Sequence, residues 1–321
     1  MQFRIGACLC LTLLLANAQD TPPLFRATTE LVLVDFQVIN SKTRTSTASL
    51  QPGAVQVFED GVRQKILYFS HGETPLSIVL LFDLTESDHG ILRNLAKGAA
   101  EALAHLRTDD EVAVMAYAAH ARLVDGFTRD RSRTLAAISK AAEMKSHEPA
   151  YFNEALYEAA VELGQSASPL NRRAIIWLTD NLPNVPSEKR YRPHTEVEAM
   201  RALQEQSVAV VPILKKNPAA LPWAAIEIAF EAPWRKSYPP GDAYKYAEVT
   251  GGIAMRLHGG RADEMLAQVI DDLRARYTIG YRPSDPKPPG VFCKLLVKLS
   301  PDAGLRPGEW QLIARHGYYR R

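Results

Sequence analysis

The sequence predicts an α/β fold: a doubly wound, mostly parallel sheet flanked by a small β-sandwich made from the N- and C-terminal segments. Three observations carry this expectation. Two apolar runs, Ile78-Val79-Leu80-Leu81-Phe82 and Ala174-Ile175-Ile176-Trp177-Leu178, lack the alternation of a half-exposed strand and fit strands buried on both faces of a parallel sheet. Strand-like and helix-like periods then alternate over 76–276, the rhythm of βαβ units. Finally, β-patterned stretches stand on both sides of this region. Each is too small to fold alone, so pairing them with one another is the economical solution.

The chain opens with Arg4, an apolar run over 5–16 and Ala16-Asn17-Ala18. The run is too short to span a bilayer, and the small-residue triplet fits a cleavage site. Residues 1–18 therefore read as a signal peptide cut after Ala18, which implies a secreted, periplasmic or cell-surface protein. The alternative is an uncleaved anchor. No later stretch is apolar enough to cross a membrane. Cys8 and Cys10 fall within the leader, so only Cys293 remains after processing. One cysteine forms no internal disulfide, and Cys293 reads as a half-buried strand residue. A net charge of +2 on 321 residues gives no electrostatic footprint for nucleic acid.

The N-terminal β segment covers 19–75. Residues 20–27 form a Pro-containing leader, 30–39 a Val-rich strand and 40–49 a polar turn. A hairpin region follows, with strands at 55–58 and 65–69 around the turn Glu59-Asp60-Gly61. In the α/β domain, 76–276, Leu92, Leu95, Ala99, Leu103 and Leu106 recur at helical spacing after the first strand. Residues 111–117 form a strand, 121–124 an antiparallel edge strand, and 127–130 lead into a helix through Met144. A loop at 147–153 precedes a helix at 154–163, a second buried strand at 173–180, a helix at 195–206 and a strand at 208–213. The Pro-rich stretch 215–241, with Trp223 and Trp234, breaks the rhythm as a long insertion, either functional or a surface excursion packed by its own aromatics. A helix at 244–250 and a strand at 251–257 lead to an amphipathic helix at 263–276, with Met265, Leu266, Val269, Ile270 and Leu273 on one face. The C-terminal β segment, 277–321, holds strands at 277–281, 292–299 and 310–315 and is expected to pack with 19–75.

Both buried strands end in carboxylates, Asp83 and Asp180. In open α/β sheets, ligands sit beyond the carboxyl ends of the strands. Thr85 and Ser87 follow Asp83 at alternate positions, and three hard oxygen groups in five residues suit a hard cation such as Mg²⁺. The plainer alternative is that Asp83 ends the strand while Ser87 or Asp88 caps the next helix. His89 reads as a solvated residue at that helix start. Tyr151 and Phe152 fit core packing better than a hydrophobic lip.

Asp83-x-Thr85-x-Ser87 together with Thr179-Asp180 resembles the von Willebrand factor type A (VWFA) domain. That family carries D-x-S-x-S after its first strand, a Thr from a middle loop, and an Asp in a strand ending T-D-G. Together these make a metal-ion-dependent adhesion site. The flanks, with the Val-rich first strand, Phe58-Glu59-Asp60-Gly61, Tyr277-x-x-Gly280-Tyr281 and Gly317-Tyr318-Tyr319, look like the secreted VWFA-related proteins common in acidobacteria. The resemblance covers nearly the whole mature chain. It departs in two places: aligning Ala155-Leu156-Tyr157 puts Glu154 where the family's Thr stands, and Asn181 replaces the Gly after the last Asp.

The resemblance implies a divalent-cation site of Asp83, Thr85, Ser87, Glu154 and Asp180, holding Mg²⁺ or alternatively Mn²⁺ or Ca²⁺. A third carboxylate raises cation affinity or fills the place of a partner's acidic side chain. Alternatively Glu154 points away, favoured only by the helix dipole, and the site is dead. The implied function is an exported protein-binding or adhesion module that docks a protein partner through an acidic side chain at the metal rim. Two other classes stay open: a structural component of a surface assembly with a degenerate site, and an Asp83-dependent hydrolase or phosphotransferase. Against catalysis, Thr85 stands where phosphotransferases carry a second Asp. The chain also has no H-x-x-x-H, G-x-S-x-G or P-loop string, so an enzyme is not expected.

Overall fold

The computed structural model describes residues 31–43, 45–46, 50–85, 89–182, 193–215, 241–257, 259, 261–285, 287–306 and 308–320. The expected signal peptide, the leader, Ser87, the side chain of His89 and residues 216–240 of the insertion lie outside them.

A six-stranded sheet forms the centre, in the order β10-β9-β8-β5-β6-β7. Its strands are β5 (Leu76–Asp83), β6 (Glu111–Tyr117), β7 (Ala121–Thr128), β8 (Arg172–Thr179), β9 (Ala209–Leu214) and β10 (Met255–Arg256). All pairings are parallel except β6 with β7. Every residue of β5 and of β8 is buried, as their unbroken apolar runs require. Successive strand residues point to opposite faces, so Ile78, Leu80 and Phe82 serve one helical layer and Val79 and Leu81 the other. The first layer comprises α1 (His89–Leu103), α2 (Arg131–Glu143) and α6 (Ala262–Arg274). The second comprises α3 (Phe152–Leu163), α4 (Glu196–Glu205) and α5 (Ala243–Thr250). Helices on both faces make the sheet doubly wound. Among the described residues, no helix is long and apolar enough to cross a membrane.

Local chemistry sets the helix starts. Asp130 accepts from the Ser132 and Arg133 amides ahead of α2, Thr195 and Glu198 form a capping box on α4, and Asp242 caps α5.

The flanks build two antiparallel four-stranded sheets around one core. The first is β13-β1-β11-β4 and the second β14-β12-β2-β3. Here β1 is Val32–Asn40, β2 Val55–Glu59, β3 Val62–Gln64, β4 Ile66–His71, β11 Tyr277–Tyr281, β12 Phe292–Leu299, β13 Trp310–Ala314 and β14 Gly317–Tyr319. Val34, Phe36, Val57, Ile279, Tyr281, Cys293 and Leu295 meet in the shared interior. Cys293 is fully buried there, and burial pushes its thiol up.

Two local expectations need correction. The hairpin after β2 is made with Val62–Gln64, through Asp60 and Gly61 at φ 47° and 85°, the doubly positive geometry of a tight hairpin turn. The next strand, β4, leaves this sheet and pairs with β11 in the other. The stretch 251–257 forms only the two-residue β10. Gly251 terminates α5 at φ 76°, and a Cβ on Gly252 would lie 1.8 Å from the Val210 carbonyl oxygen. The chain thus crosses close over β9 before it can pair.

Arg172 ties the sandwich to the α/β layers. Its guanidinium is buried at the start of β8. It donates to the carbonyls of Leu273 and Arg276 and to Thr278 Oγ1, and its Nε lies 3.2 Å from Asp35 Oδ1. Burial opposes the charge of Asp35, but Arg172, Thr278 and Arg276 outweigh it and hold the carboxyl below the usual carboxylate value. Replacing Arg172 with Met removes the larger counter-charge of Asp35 along with the buried hydrogen bonds to Leu273, Arg276 and Thr278, and is expected to cost about 3–5 kcal/mol in urea unfolding. Arg261→Ala, which breaks the exposed Arg261–Glu264 pair, should cost under about 1 kcal/mol. Equal losses in the two variants would show that Arg172 is not the tie.

Candidate functional site

Parallel pairing brings the carboxyl ends of β5, β6 and β8 to one rim. Phe82 stands opposite Leu178 and Asp83 opposite Tyr117. Asp83 is 1% exposed. Its Oδ1 accepts from the Thr85 amide at 2.9 Å. Its Oδ2 accepts from the Tyr117 hydroxyl at 2.8 Å and from Thr179 Oγ1 at 3.3 Å. The Trp177 indole N–H donates to the Tyr117 hydroxyl at 3.0 Å. Trp177 in turn packs edge-on against Phe152, with ring centroids 4.7 Å apart.

These donors do not offset burial. Desolvation, opposed by hydrogen bonds from Thr85 and Tyr117 and reinforced by the charge of Asp180, pushes the Asp83 carboxyl up to about 6. Burial and the neighbouring Asp83 likewise push the Tyr117 hydroxyl up, so Tyr117 stays a donor.

Asp180 follows β8 directly. It is buried, and its Oδ1 accepts from the Leu182 amide at 2.9 Å. Asn181 adopts φ 58°, the left-handed region that Asn tolerates better than most residues. Its side-chain oxygen accepts from the Ala243 amide at 2.9 Å. The replacement of Gly by Asn therefore keeps the turn and adds a link to the start of α5.

Asp83, Thr85 and Asp180 thus share the rim. Glu154 is held differently. It is the third residue of α3 and is buried. Its Oε2 accepts from the backbone amide of His194 at 2.7 Å and lies 2.9 Å from that ring's Nδ1, while its Oε1 lies 3.5 Å from His120 Nδ1. Among the described residues, Glu154 forms a tight cluster with His120 and Glu158, not with Asp83 and Asp180. Tyr151 and Phe152 are buried and offer no lip.

Sequence reasoning missed Tyr117, Trp177, His120 and His194. Strand register signals Tyr117, because it closes β6 as Asp83 closes β5. The other three reach their partners across 34 to 60 positions of chain, beyond any local pattern.

The donor set at the rim consists of carboxylate and hydroxyl oxygens, and a hard divalent cation fits that chemistry. Asp83, Thr85 and Asp180 would hold such an ion, which supplies charge neutralisation.

No family model matches the chain, and no curated protein matches it in sequence. Solved structures similar to it include a point mutant of the PilB minor pilin from Streptococcus sanguinis (12% identity, 63% of this chain and 61% of that one, TM-score 0.43). Others are BatB from Bacteroides thetaiotaomicron (17%, 62% and 98%, 0.43) and a von Willebrand factor type A protein from Catenulispora acidiphila (11%, 92% and 75%, 0.44). The match therefore spans less than two thirds of the pilin's own length.

The raised Asp83 value fixes a pH dependence. A carboxyl that binds its proton more tightly when folded favours folding at low pH, and that advantage is lost as pH rises from near 3.8 to about 6. In metal-free protein, Asp83→Asn should therefore be more stable than wild type above pH 6, by roughly 3 kcal/mol. The difference should shrink towards pH 4. Denaturant melts of both proteins across this range check it, and a difference that does not change with pH would refute the assignment.

Proposed function

We propose that this chain is an exported binding module that docks a protein partner at the rim formed by the ends of β5 and β8. A divalent cation held by Asp83, Thr85 and Asp180 is the docking point, with Ser87 as a further hydroxyl in the motif. The single observation that supports this reading most is the pair Asp83 and Asp180, two buried carboxylates at the ends of adjacent strands, close enough that the charge of Asp180 acts on Asp83. A partner's Asp or Glu would complete the ion's coordination. The module acts by binding rather than by turnover.

A second reading is favoured by one feature. The oxygens of Asp83 already accept hydrogen bonds from Thr85, Tyr117 and Thr179, and Glu154 is engaged with histidines. On that reading the site is degenerate and the chain is a metal-free component of a surface assembly.

Calorimetric titration of metal-stripped protein with Mg²⁺, Mn²⁺ and Ca²⁺ separates the two. The docking reading expects heat that is lost in Asp83→Ala and kept in Glu154→Thr, with stabilisation of about 2.7 kcal/mol at a hundredfold excess over Kd. Capture of a partner should then be sensitive to EDTA. No heat and no change in melting temperature with any of the ions would sink the docking reading and leave the structural one.

A further inference from the structure

We propose that His120, Glu154 and Glu158 form a second metal site, distinct from the Asp83–Asp180 pair and suited to a transition ion such as Zn²⁺. Glu154 and Glu158 lie one turn apart on α3, so their side chains share a face. His120 sits in the turn between β6 and β7 and projects onto that face. A backbone link fixes the approach, since the Tyr151 amide just before α3 donates to the Ala118 carbonyl at 3.1 Å.

The spacing is that of ligands around an ion. His120 Nδ1 lies 3.5 Å from Glu154 Oε1 and 3.5 Å from Glu158 Oε1, and the three ligand atoms lie within 4.8 Å of one another. Metal–ligand distances of about 2.0–2.1 Å in a tetrahedron place neighbouring ligand atoms about 3.3–3.4 Å apart. A separation of 3.5 Å is near that edge length.

The second oxygen of each carboxylate is occupied, which leaves Oε1 of each on the His120 side. Glu154 Oε2 takes the two His194 donors, and Glu158 Oε2 takes the Ala121 amide at 2.5 Å. The His194 ring is itself fixed by stacking on Tyr157, with centroids 3.5 Å apart. This is the kind of outer shell that orients metal-binding carboxylates.

The mixed nitrogen and oxygen set suits a borderline ion better than Mg²⁺. His120 is 55% exposed, which leaves the solvent side for a fourth ligand. The other described cluster of this type, Glu59, Asp60 and Cys293, differs: Lys287 pairs with Asp60, and the hydroxyls of Tyr281 and Tyr318 donate to Glu59.

The test is titration of metal-stripped, tag-free protein with Zn²⁺, alongside Glu158→Gln, His120→Ala, His194→Ala and Asp83→Ala. Binding of one ion per chain is expected, lost in Glu158→Gln and His120→Ala, weakened about 10–100-fold in His194→Ala, and kept in Asp83→Ala. Glu158→Gln retains an acceptor for the Ala121 amide, so its metal-free melting temperature should stay near that of wild type. Co²⁺ in the same site should give the intense visible bands of a tetrahedral ion. No Zn²⁺ binding by wild type, or equal binding by wild type, Glu158→Gln and His120→Ala, overturns the proposal. Loss of Zn²⁺ in Asp83→Ala would overturn its independence from the rim.

Discussion

The buried carboxylate of Asp83 is the constraint on which the centre of this molecule depends. Removing an ionised carboxylate from water costs several kcal/mol unless good donors replace the water. Here the donors come from both neighbouring strands, Tyr117 at the end of β6 and Thr179 at the end of β8. Those contacts exist only in the observed register. A slip of one residue in β6 would send Tyr117 to the other face of the sheet and leave Oδ2 without its closest donor. The same knot reaches the helical layer, because the Tyr117 hydroxyl takes the Trp177 N–H and Trp177 packs on Phe152 at the start of α3.

The knot satisfies hydrogen bonds without neutralising charge. Tyr117 and Thr179 are neutral donors, and Asp180 adds a second negative group close by. A structure selected only for stability would place an apolar residue or a compensating cation at such a strand end. Sequences depart from local consistency chiefly at functional or strained positions, and this departure falls where open α/β sheets bind ligands. The contrast with Asp35 is direct. That carboxyl faces Arg172 and is held below its usual value, whereas Asp83 is pushed above it.

Much of this was legible in the sequence because it depends on short-range pattern. Unbroken apolar runs marked β5 and β8, and the carboxylates closing them marked the rim. Helical spacing marked the core faces of α1 and α6. What stayed hidden depends on contacts between distant positions. Nothing local in residues 55–71 says that β3 completes the hairpin while β4 crosses to the other sheet. The apolar character of 251–257 reads as a strand until Gly252 is placed against Val210. Glu154 and Glu158 show their shared helical face in their spacing, but His120 and His194 come to that face from 34 positions before Glu154 and 40 positions after it. The family alignment assigned Glu154 to the rim because a motif fixes a backbone position, and a longer side chain at that position reaches other partners.

The fold also keeps anchoring and chemistry at opposite ends of the same elements. Strand β8 begins at Arg172, the tie to the sandwich, and runs into Asp180 at the rim. At about 3.3 Å per residue these lie on the order of 26 Å apart. The sandwich meets α5 at its carboxyl end, where the carbonyl of Val249 accepts from the His316 amide, and it meets α4 where Arg201 lies over the Tyr319 ring; at the carboxyl end of α6 the carbonyl of Leu273 accepts from Arg172, the tie to the sandwich. In a parallel α/β sheet the helix amino ends therefore fall on the rim side, where partial positive charge favours carboxylates. That polarity helps to explain why Asp83, Glu154 and Asp180 gather at one end of the molecule. A helix amino end carries only about half a unit of charge, which moderates a concentration of acidic groups without cancelling it.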